Sequence, residues 1–362
     1  MTGLYVHIPF CRQKCFYCDF FSQKYDSVTA DRYLDALTKQ ADIYKGFSVE
    51  TIYIGGGTPS VLSLWQMQKL LQTVTKKFDL SGLKEFTAEV NPESVSAEKF
   101  TLLKEYGVGR LSIGLQSPND AELKYLGRVH DFSVFCEAFE SAKKAGFENI
   151  NIDLIYGLPG QTLDGWKHIL EKTVSFESAH LSLYPLSVEK DTVFGKNAVK
   201  TNDDMQRNMY EAAVEMLSKH GFRHYEISNW AKPSKEAVHN SNYWRNQEYI
   251  ALGAGAAGYF DRLRYKIIEN TGEYIIKMEN GLDVKTESGY VDDKCFETET
   301  VMLGLRLLEE GVSVDCFKSL NNKTVLKELL NQGMLVKDGD KIKIHKDYVF
   351  VSNAVISEFM GN

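Results

Sequence analysis

The chain has 362 residues, of which 43% are hydrophobic and 25% are charged, as expected for a globular protein with one large domain and a smaller one. Its formal net charge of −7 excludes a general attraction to nucleic acid or to an anionic membrane. Only seven prolines and no low-complexity run argue against long disordered parts.

The N-terminus and the apolar stretches predict a cytoplasmic protein. The opening sequence MTGLYVHIPFC has neither the basic nor the apolar region of a signal peptide. The longest apolar stretch, residues 249–260, is too short for a membrane helix. Because thiols normally stay reduced inside cells, the six cysteines are expected to be metal ligands or buried residues and not disulfides.

Strand-like runs alternate with helical patterns over the first 230 residues. The predicted strands cover residues 3–8, 49–54, 85–90, 110–115, 149–155, 179–186 and 222–228. Helical patterns lie between them, such as residues 63–78, which begin at a good N-cap, Ser63, and residues 203–221. Six or seven such βα units predict an α/β protein whose parallel sheet curls into a full or partial barrel. An open doubly wound sheet is the alternative.

The alternation stops near residue 230, which predicts three parts: a barrel over residues 1–230, a connecting segment over 231–290 and a C-terminal domain over 291–362. Residues 229–260 are expected to form a long ordered loop with one strand. The C-terminal part reads as helices followed by a β-hairpin with Asp338-Gly339 at its turn, which is typical of a winged helix.

Winged helices often bind DNA, but the predicted helices of this one are acidic. They carry four glutamates: Glu297, Glu299, Glu309 and Glu310. We therefore expect a structural or docking module and no nucleic-acid partner.

Three of the six cysteines, Cys11, Cys15 and Cys18, share one short segment. Thiolates at this spacing can converge on one inorganic cluster, and three protein ligands on a [4Fe–4S] cube leave one iron open. A structural zinc ion needs four ligands, so the alternative is a zinc site completed by His7 or Asp19. The other cysteines are isolated and are expected to be buried: Cys136, Cys295 and Cys316.

Unusual residues follow several predicted strands, at the end where a barrel carries its chemistry. The stretch GGGTPS, residues 55–60, has three glycines that let backbone approach a ligand closely, and Thr58 adds a hydroxyl. Glu89, Gln116 and Asp153 lie at or near the ends of later strands. The carboxylate of Asp153 stands in an otherwise apolar run and would be costly unless it were bound to something. These residues predict a ligand site at the C-terminal ends of the strands.

The cysteine motif, with Tyr17 before its last cysteine, resembles that of the radical S-adenosylmethionine (SAM) enzymes. The strings LYVHIPFC, GGGTPS, EVNPE, GLQS, LGRVH and DLIYGLPGQT are similar to a narrower branch of that family. This branch contains oxygen-independent coproporphyrinogen III dehydrogenase and the haem chaperone HemW, and the resemblance runs through essentially the whole chain. It implies a partial (β/α)6 barrel, a [4Fe–4S] cluster on the three cysteines and SAM on the open iron.

The resemblance also implies which residues contact SAM, and Arg128 among them pairs with the methionine carboxylate as a fork of donors. The implied set is Tyr5, Tyr17, Gly56, Gly57, Thr58, Glu89, Gln116, Arg128 and Asp153.

Two departures from the dehydrogenase pattern favour the haem chaperone. The dehydrogenase continues its cysteine motif with a further cysteine where this chain has Phe20. The dehydrogenase also has a long N-terminal extension, whereas the first strand here is predicted almost at Met1.

The sequence HNSNYW also matches the His-Asn-x-x-Tyr-Trp motif of the chaperones. This resemblance implies haem contact by His239, Asn240, Tyr243 and Trp244. The structural alternative is a loop whose aromatic residues pack on the barrel.

The resemblance thus implies a haem carrier that delivers haem to respiratory haem proteins through transient docking with membrane proteins. One rival is oxidative decarboxylation of coproporphyrinogen III, and another is a regulator that acts through the winged-helix-like part. The sequence leaves open whether SAM is cleaved and whether a homodimer forms. A G-x-G-x-x-G pattern at Gly253–Gly258 is not followed by a helical pattern, so we expect close packing against the SAM or haem site and no dinucleotide site.

Overall fold

The computed structural model describes residues 2–360, which form a twelve-stranded mixed sheet, surrounding helices and a small C-terminal sheet. The strands are β1 (Gly3–Ile8), β2 (Phe10–Cys11), β3 (Gln23–Lys24), β4 (Thr51–Gly56), β5 (Glu85–Val90), β6 (Arg110–Gln116), β7 (Asn149–Tyr156), β8 (His180–Pro185), β9 (Arg223–Glu226), β10 (Asn229–Ala231), β11 (Tyr249–Leu252), β12 (Ala257–Phe260), β13 (Leu263–Ile267), β14 (Lys285–Tyr290), β15 (Val312–Ser313), β16 (Leu335–Asp338) and β17 (Lys341–Ile344). The α-helices are α1 (Ser27–Asp42), α2 (Leu64–Lys77), α3 (Ala97–Glu105), α4 (Asp120–Tyr125), α5 (Phe132–Lys144), α6 (Leu163–Val174), α7 (Val193–Lys196), α8 (Asp203–Lys219), α9 (Val238–Trp244), α10 (Thr271–Glu279), α11 (Asp293–Gly304), α12 (Leu320–Asn331) and α13 (Ser352–Ser357).

Six parallel strands lie side by side in chain order, β1-β4-β5-β6-β7-β8, with helices in the crossovers between them. This sequential order confirms the predicted barrel of six βα units, because a doubly wound sheet would reverse its order at a switch point. Within the described residues β8 does not pair with β1, so the barrel is partial. Instead β1 continues into β11 to β14, and β8 continues into β10 and β9.

The parallel strands alternate between an apolar outer face and a polar inner face. In β6, Leu111, Ile113 and Leu115 are fully buried in the core shared with the helices. Arg110 and Ser112, on the other face, line a cavity inside the barrel. Parallel strands covered on both faces are usually apolar throughout. The polar inner face therefore marks the interior as a site.

Residues 229–260 differ from the sequence prediction of a long loop with one strand. The structure has three strands here, β10, β11 and β12, and the helix α9. β11 extends the main sheet by pairing in parallel with β1, with Gly3 opposite Tyr249. Elements of three to seven residues are too short to show a period in sequence. The division of the chain at residues 230 and 290 stays a prediction.

The G-x-G-x-x-G pattern lies between β11 and β12 and opens no helix. Gly253 has a φ of +97°, and a side chain there would collide with the Tyr33 hydroxyl and the His7 carbonyl. The stretch is therefore closely packed against neighbouring protein, and its packing against the SAM or haem site stays a prediction.

The C-terminal residues form the predicted winged-helix-like module, in which α11 and α12 precede a three-stranded sheet of order β15-β17-β16. Asp338 pairs with Lys341, so the two turn residues are Gly339 and Asp340, one position later than predicted. The module packs on the barrel through a hydrogen bond from Leu308 N to Tyr225 O (2.9 Å) and through ion pairs such as Arg245–Glu310 (2.7 Å).

The isolated cysteines lie outside the barrel site. Cys136 and Cys316 are partly buried, but Cys295 is exposed at the start of α11, so its predicted burial is wrong. Across residues 2–360, every helix falls short of the length and apolar character that crossing a bilayer requires.

Helix α9 begins without a capping side chain of its own, and a buried carboxylate from β5 takes that role. Glu85 accepts hydrogen bonds from Val238 N (2.8 Å) and from His239 N (3.0 Å). Glu85 lies at the first position of β5, so this contact fixes α9 at the N-terminal end of the barrel.

We expect Glu85→Ala to lower the free energy of unfolding by roughly 2–5 kcal/mol, because two backbone N–H groups lose their acceptor. Urea unfolding measures the loss. Glu105→Ala, at an exposed position of α3, is the control and should change stability by less than about 0.5 kcal/mol. Equal stability of the two variants would contradict the capping role.

Candidate functional site

A cavity of about 560 Å³ opens at the C-terminal ends of the parallel strands and reaches down into the barrel. Twelve of the sequence-predicted site residues line it: Cys11, Cys15, Cys18, Tyr17, Gly56, Gly57, Thr58, Glu89, Gln116, Arg128, Asp153 and Asn240. Four do not: Tyr5, His239, Tyr243 and Trp244.

The cysteine segment is held against the loop that follows α4. Phe16 N donates to Leu126 O (3.0 Å), and the Gln13 side chain donates to Gly127 O (3.1 Å). The Phe16 ring packs so closely on Gly127 that a Cβ there would lie 2.9 Å from it. These contacts bring Arg128 beside the cysteines.

Two side chains donate hydrogen bonds to cysteine sulfurs. Thr58 Oγ1 donates to Cys11 Sγ (3.4 Å), and Arg128 Nη1 donates to Cys15 Sγ (3.6 Å). Asn91 joins the two donors, since it donates to Thr58 Oγ1 (3.0 Å) and accepts from Arg128 Nη2 (2.9 Å). Donors aimed at sulfur favour the thiolate that a metal cluster needs.

Burial raises the pKa of the Cys11 thiol and raises that of Cys18 to about 11. These thiols therefore hold their protons at neutral pH until a metal replaces them.

The donor set fits an iron–sulfur cube better than a zinc ion. Nowhere in residues 2–360 are three His, Cys, Asp or Glu side chains gathered closely enough to bind one metal ion. A zinc site completed by His7 is disfavoured, because His7 Nδ1 is hydrogen-bonded with Tyr5 OH and Nε2 with Phe21 O, both at 2.9 Å. In a cube each thiolate binds a different iron, so the three sulfurs stand farther apart than the ligands of a single ion.

Glycines after β4 let the backbone form part of the cavity wall. Gly56 has a φ of +111°, and a Cβ there would lie 2.6 Å from the His7 ring. At Gly57 a Cβ would lie 3.0 Å from Cys11 Sγ. Neighbouring protein atoms therefore exclude side chains at both positions, and a close approach of a ligand to this backbone stays a prediction.

Two carboxylates face the cavity below the cysteines. Glu89 accepts from Tyr53 OH (2.6 Å) and from Gly56 N (3.1 Å). Burial raises its pKa to about 7; the Tyr53 hydrogen bond opposes the shift and the charge of Asp153 adds to it. Burial also raises the pKa of Asp153, which accepts from Asn151 Nδ2 (2.8 Å) and Ser112 Oγ (3.0 Å). Both groups can accept hydrogen bonds from ligand hydroxyl or amino groups.

Gln116 supplies an acceptor that residues 2–360 leave without a partner. Its backbone φ is +67°, an uncommon conformation for a residue other than glycine. Its Oε1 atom is buried and has no hydrogen-bond partner within the described residues. The strained backbone and the unsatisfied acceptor together indicate that Gln116 is positioned to accept a hydrogen bond from a ligand.

The sequence analysis missed several residues that line the same cavity: Tyr53, Asn91, Arg110, Ser112, Asn151 and Ser182. Alternation could have found most of them. The strands RLSIGLQ and NINIDLIY place polar residues at every second position, which indicates a polar inner face in a sheet otherwise covered by helices.

The predicted haem-contacting residues lie mostly outside the cavity, at the other end of the barrel. His239 is 1% exposed; its Nδ1 is hydrogen-bonded with Thr51 Oγ1 (2.9 Å) and its Nε2 with Tyr243 OH (2.6 Å). Thr51 begins β4, whereas the cysteine segment follows the end of β1. A six-residue strand of about 3.3 Å per residue puts roughly 16 Å between these ends. In this conformation the His239 imidazole does not face the cavity, and its role as a haem ligand stays a prediction.

The other predicted haem-contacting residues, and one predicted SAM-contacting residue outside the cavity, have different surroundings. Asn240 lines the cavity. The Arg306 guanidinium stacks on the Trp244 ring at 4.3 Å. Tyr5, predicted to contact SAM, lies with its ring centroid 6.2 Å from that of the cavity-lining Tyr53.

Comparisons place this geometry among known proteins. Residues 5–173 match the family model of the radical SAM superfamily. The chain is 37% identical to the heme chaperone HemW of Lactococcus lactis subsp. lactis (strain IL1403), over 99% of this chain and 97% of that protein. It is also 37% identical to that of Bacillus subtilis (strain 168), over the whole of both, and 35% identical to that of Escherichia coli (strain K12), over 99% and 98%.

Among solved structures, the coproporphyrinogen III oxidase HemN from Escherichia coli, described as a radical SAM enzyme, is similar with a TM-score of 0.86. The similarity covers 99% of this chain and 89% of that one at 20% sequence identity. At this identity the likeness establishes a shared fold alone.

We expect Gly56→Ala to destabilise the protein by more than 3 kcal/mol, because the new methyl group collides with the His7 ring and the left-handed backbone is strained. Gly107→Ala is a matched control: its φ is +86°, but nothing lies within 4 Å of the added Cβ, so the expected loss is about 1 kcal/mol. Urea unfolding of both variants separates crowding from strain. Equal losses of stability in the two variants would contradict the predicted collision with the His7 ring.

Acid should destabilise the protein through His239, whose pKa burial lowers to about 3. The unfolded chain takes up a proton near pH 6.5 and the folded chain does not, so the stabilisation is complete above pH 6.5 and is lost as pH falls toward 3. In urea unfolding between pH 6.5 and 4.5, we expect His239→Gln to reduce the slope of stability against pH by about 1.4 kcal/mol per unit. An unchanged slope would show that this imidazole is not buried in its neutral form.

Proposed function

The chain belongs to the HemW family of radical SAM proteins, and on that premise we propose that it is a haem chaperone, which binds haem and passes it to haem-requiring proteins. The observation that carries the proposal is identity of 37% to two HemW proteins over essentially the full length of each. Similarity over the whole chain includes α9 and the C-terminal module and is not confined to the barrel.

We propose that Cys11, Cys15 and Cys18 hold a [4Fe–4S] cluster and that SAM occupies the cavity beside it. When bound, the cluster supplies an electron and one iron with an open coordination position. The protein orients the cluster and SAM and balances their charge. Thr58 and Arg128 donate to the sulfurs, and the remaining guanidinium donors of Arg128 can pair with a carboxylate.

The two carboxylates and the glutamine below the cysteines suit the rest of a SAM molecule. Glu89 and Asp153 accept from ribose hydroxyls or the amino group, and Gln116 Oε1, to which no described residue donates, accepts from the ligand. The Gly56-Gly57 backbone allows the ligand to lie against the strand ends. A volume of about 560 Å³ suits one ligand of this size and does not accommodate a porphyrin beside it.

Haem contact by His239, Asn240, Tyr243 and Trp244 is part of the proposal. Because both His239 ring nitrogens are hydrogen-bonded, binding of haem iron by this residue requires exchange of the bond to Tyr243 or to Thr51. Tyr243 is in turn in edge contact with the Tyr249 ring, with centroids 4.5 Å apart, so a shift of α9 reaches β11.

We further propose cytoplasmic location and respiratory haem proteins as recipients, reached by transient docking to membrane proteins.

Phe20 lines the cavity with 65% of its surface exposed, at the position where the dehydrogenase has a further cysteine. An apolar ring at the mouth suits contact with a porphyrin, and the replacement of the dehydrogenase's further cysteine by Phe20 is what favours the carrier.

Haem titration of the anaerobically reconstituted protein tests the carrier. We expect a saturable absorbance change with wild type and at least tenfold weaker binding with His239→Ala. Cys15→Ser should lose most of its iron and visible cluster absorbance, whereas the control Cys136→Ser, on α5, should keep both. No saturable haem spectrum in wild type would contradict the carrier, and full iron content in Cys15→Ser would contradict the cluster.

Incubation with coproporphyrinogen III, SAM and a reductant separates the carrier from the dehydrogenase. We expect no protoporphyrinogen IX to form. Turnover to that product would favour the dehydrogenase.

A further inference from the structure

A groove of about 520 Å³ lies on the C-terminal module, between the segment that follows β15 and helix α12. Its lining residues fall within 314–331, whereas those of the barrel cavity fall within 11–240. Apolar side chains form its floor: Val314, Phe317, Leu326 and Leu330. Phe317 is 3% exposed and its ring centroid lies 5.8 Å from that of Phe359, but the other three are only partly buried. The groove therefore leaves apolar surface facing solvent.

The groove is also positively charged. Three exposed lysines line it: Lys318, Lys323 and Lys327. Within residues 2–360 these lysines form no ion pair, and among the described lining residues they outnumber the carboxylates by three to one, the single acid being Asp315. The whole chain has a net charge of −7, so this groove is a local positive region on an acidic protein.

Helix α12 alternates lysine and leucine along the side that faces the groove. Lys323, Leu326, Lys327 and Leu330 stand at positions i, i+3, i+4 and i+7, which share one face of a helix. At 1.5 Å per residue this stripe is roughly 10 Å long, which matches about two turns of a partner helix. Apolar contacts and positive charges are thus offered together at helical spacing.

A carboxylate from α11 holds the start of α12 in place. Glu297 accepts hydrogen bonds from Lys318 N (2.9 Å), Ser319 N (2.7 Å) and Asn322 Nδ2 (2.9 Å). These bonds fix the backbone of the segment that carries Lys318 against the rest of the module. The groove is therefore formed before anything binds to it, so a partner does not have to order this wall.

The positive charge and the apolar floor together restrict what can occupy the groove. A nucleic acid offers phosphates to lysines but has no apolar side chains to cover the floor. A membrane surface is broad, whereas the apolar side chains here lie inside a groove. A protein helix with apolar residues on one side and carboxylates beside them matches both properties.

We propose that this groove docks an acidic amphipathic helix of a partner protein. Its apolar side chains cover Leu326 and Leu330, and its carboxylates pair with Lys323 and Lys327. The interaction surface is separate from the barrel cavity and from the predicted haem-contacting residues, so the proposal stands independently of haem binding. It gives the C-terminal module a partner of stated chemistry.

Fluorescence anisotropy of the full chain with two labelled helical peptides of about 14 residues tests the proposal. The first peptide carries leucines on one face and glutamates beside them, and the second has glutamine in place of every glutamate. We expect wild type to bind the glutamate peptide at least about fivefold more tightly, with an affinity that falls as salt is added. The double variant Lys323→Ala/Lys327→Ala should bind the glutamate peptide about fivefold more weakly than wild type, because two charge pairs are lost.

The matched control is Lys143→Ala/Lys144→Ala, which removes two exposed lysines of α5 and should bind both peptides as wild type does. Equal affinity of wild type for the two peptides, or equal affinity of wild type and the Lys323→Ala/Lys327→Ala variant for the glutamate peptide, would overturn the proposal. A DNA duplex and phosphatidylserine vesicles are measured in parallel. If either binds more tightly than the glutamate peptide and loses binding in that variant, the lysines recognise phosphate groups and the acidic helix is wrong.

Discussion

The interior of the barrel carries charged and polar groups where parallel strands usually bury aliphatic side chains, and the rest of the structure accommodates this. Glu89, Arg110 and Asp153 line the cavity inside the barrel, and burial raises the pKa of both carboxyl groups. Such groups are tolerated only when hydrogen bonds or ligands satisfy them. Folding free energy therefore comes from the outer faces of the strands and the helices that pack on them, which form one continuous apolar core. The interior is left available for chemistry.

The two ends of the barrel differ, since one is open and the other is closed. At the C-terminal end, loops after the strands gather the cysteines, glycines and Arg128 around an opening. At the N-terminal end, α9 closes the barrel through buried contacts with Glu85 and Thr51. The motif that resembles a haem-binding sequence is thus part of the closed end. Asn240 connects the two, because it belongs to α9 and yet lines the cavity.

The parts of this arrangement that the sequence predicts are those with strong local patterns. The strand order, the cysteine segment and the glycines at Gly56 and Gly57 follow from alternation, spacing and backbone sterics. Helix α9 and strand β11 are too short to show a period, and tertiary contacts determine them. Arg110 was missed because a cation at a strand start reads as a surface residue until the neighbouring strands cover it. Burial of Cys295 was predicted from residue type alone, and the fold places that residue on an exposed helix end.

The proposed function depends most on an open iron that would face the cavity and bind SAM. The direct measurement is the EPR spectrum of the anaerobically reconstituted, reduced protein before and after addition of SAM. Chelation of the open iron changes the ligand field of the cluster, so the account predicts a [4Fe–4S] signal whose g-values shift when SAM is added. A signal that SAM leaves unchanged, or no cluster signal in protein with all three cysteines intact, would contradict it.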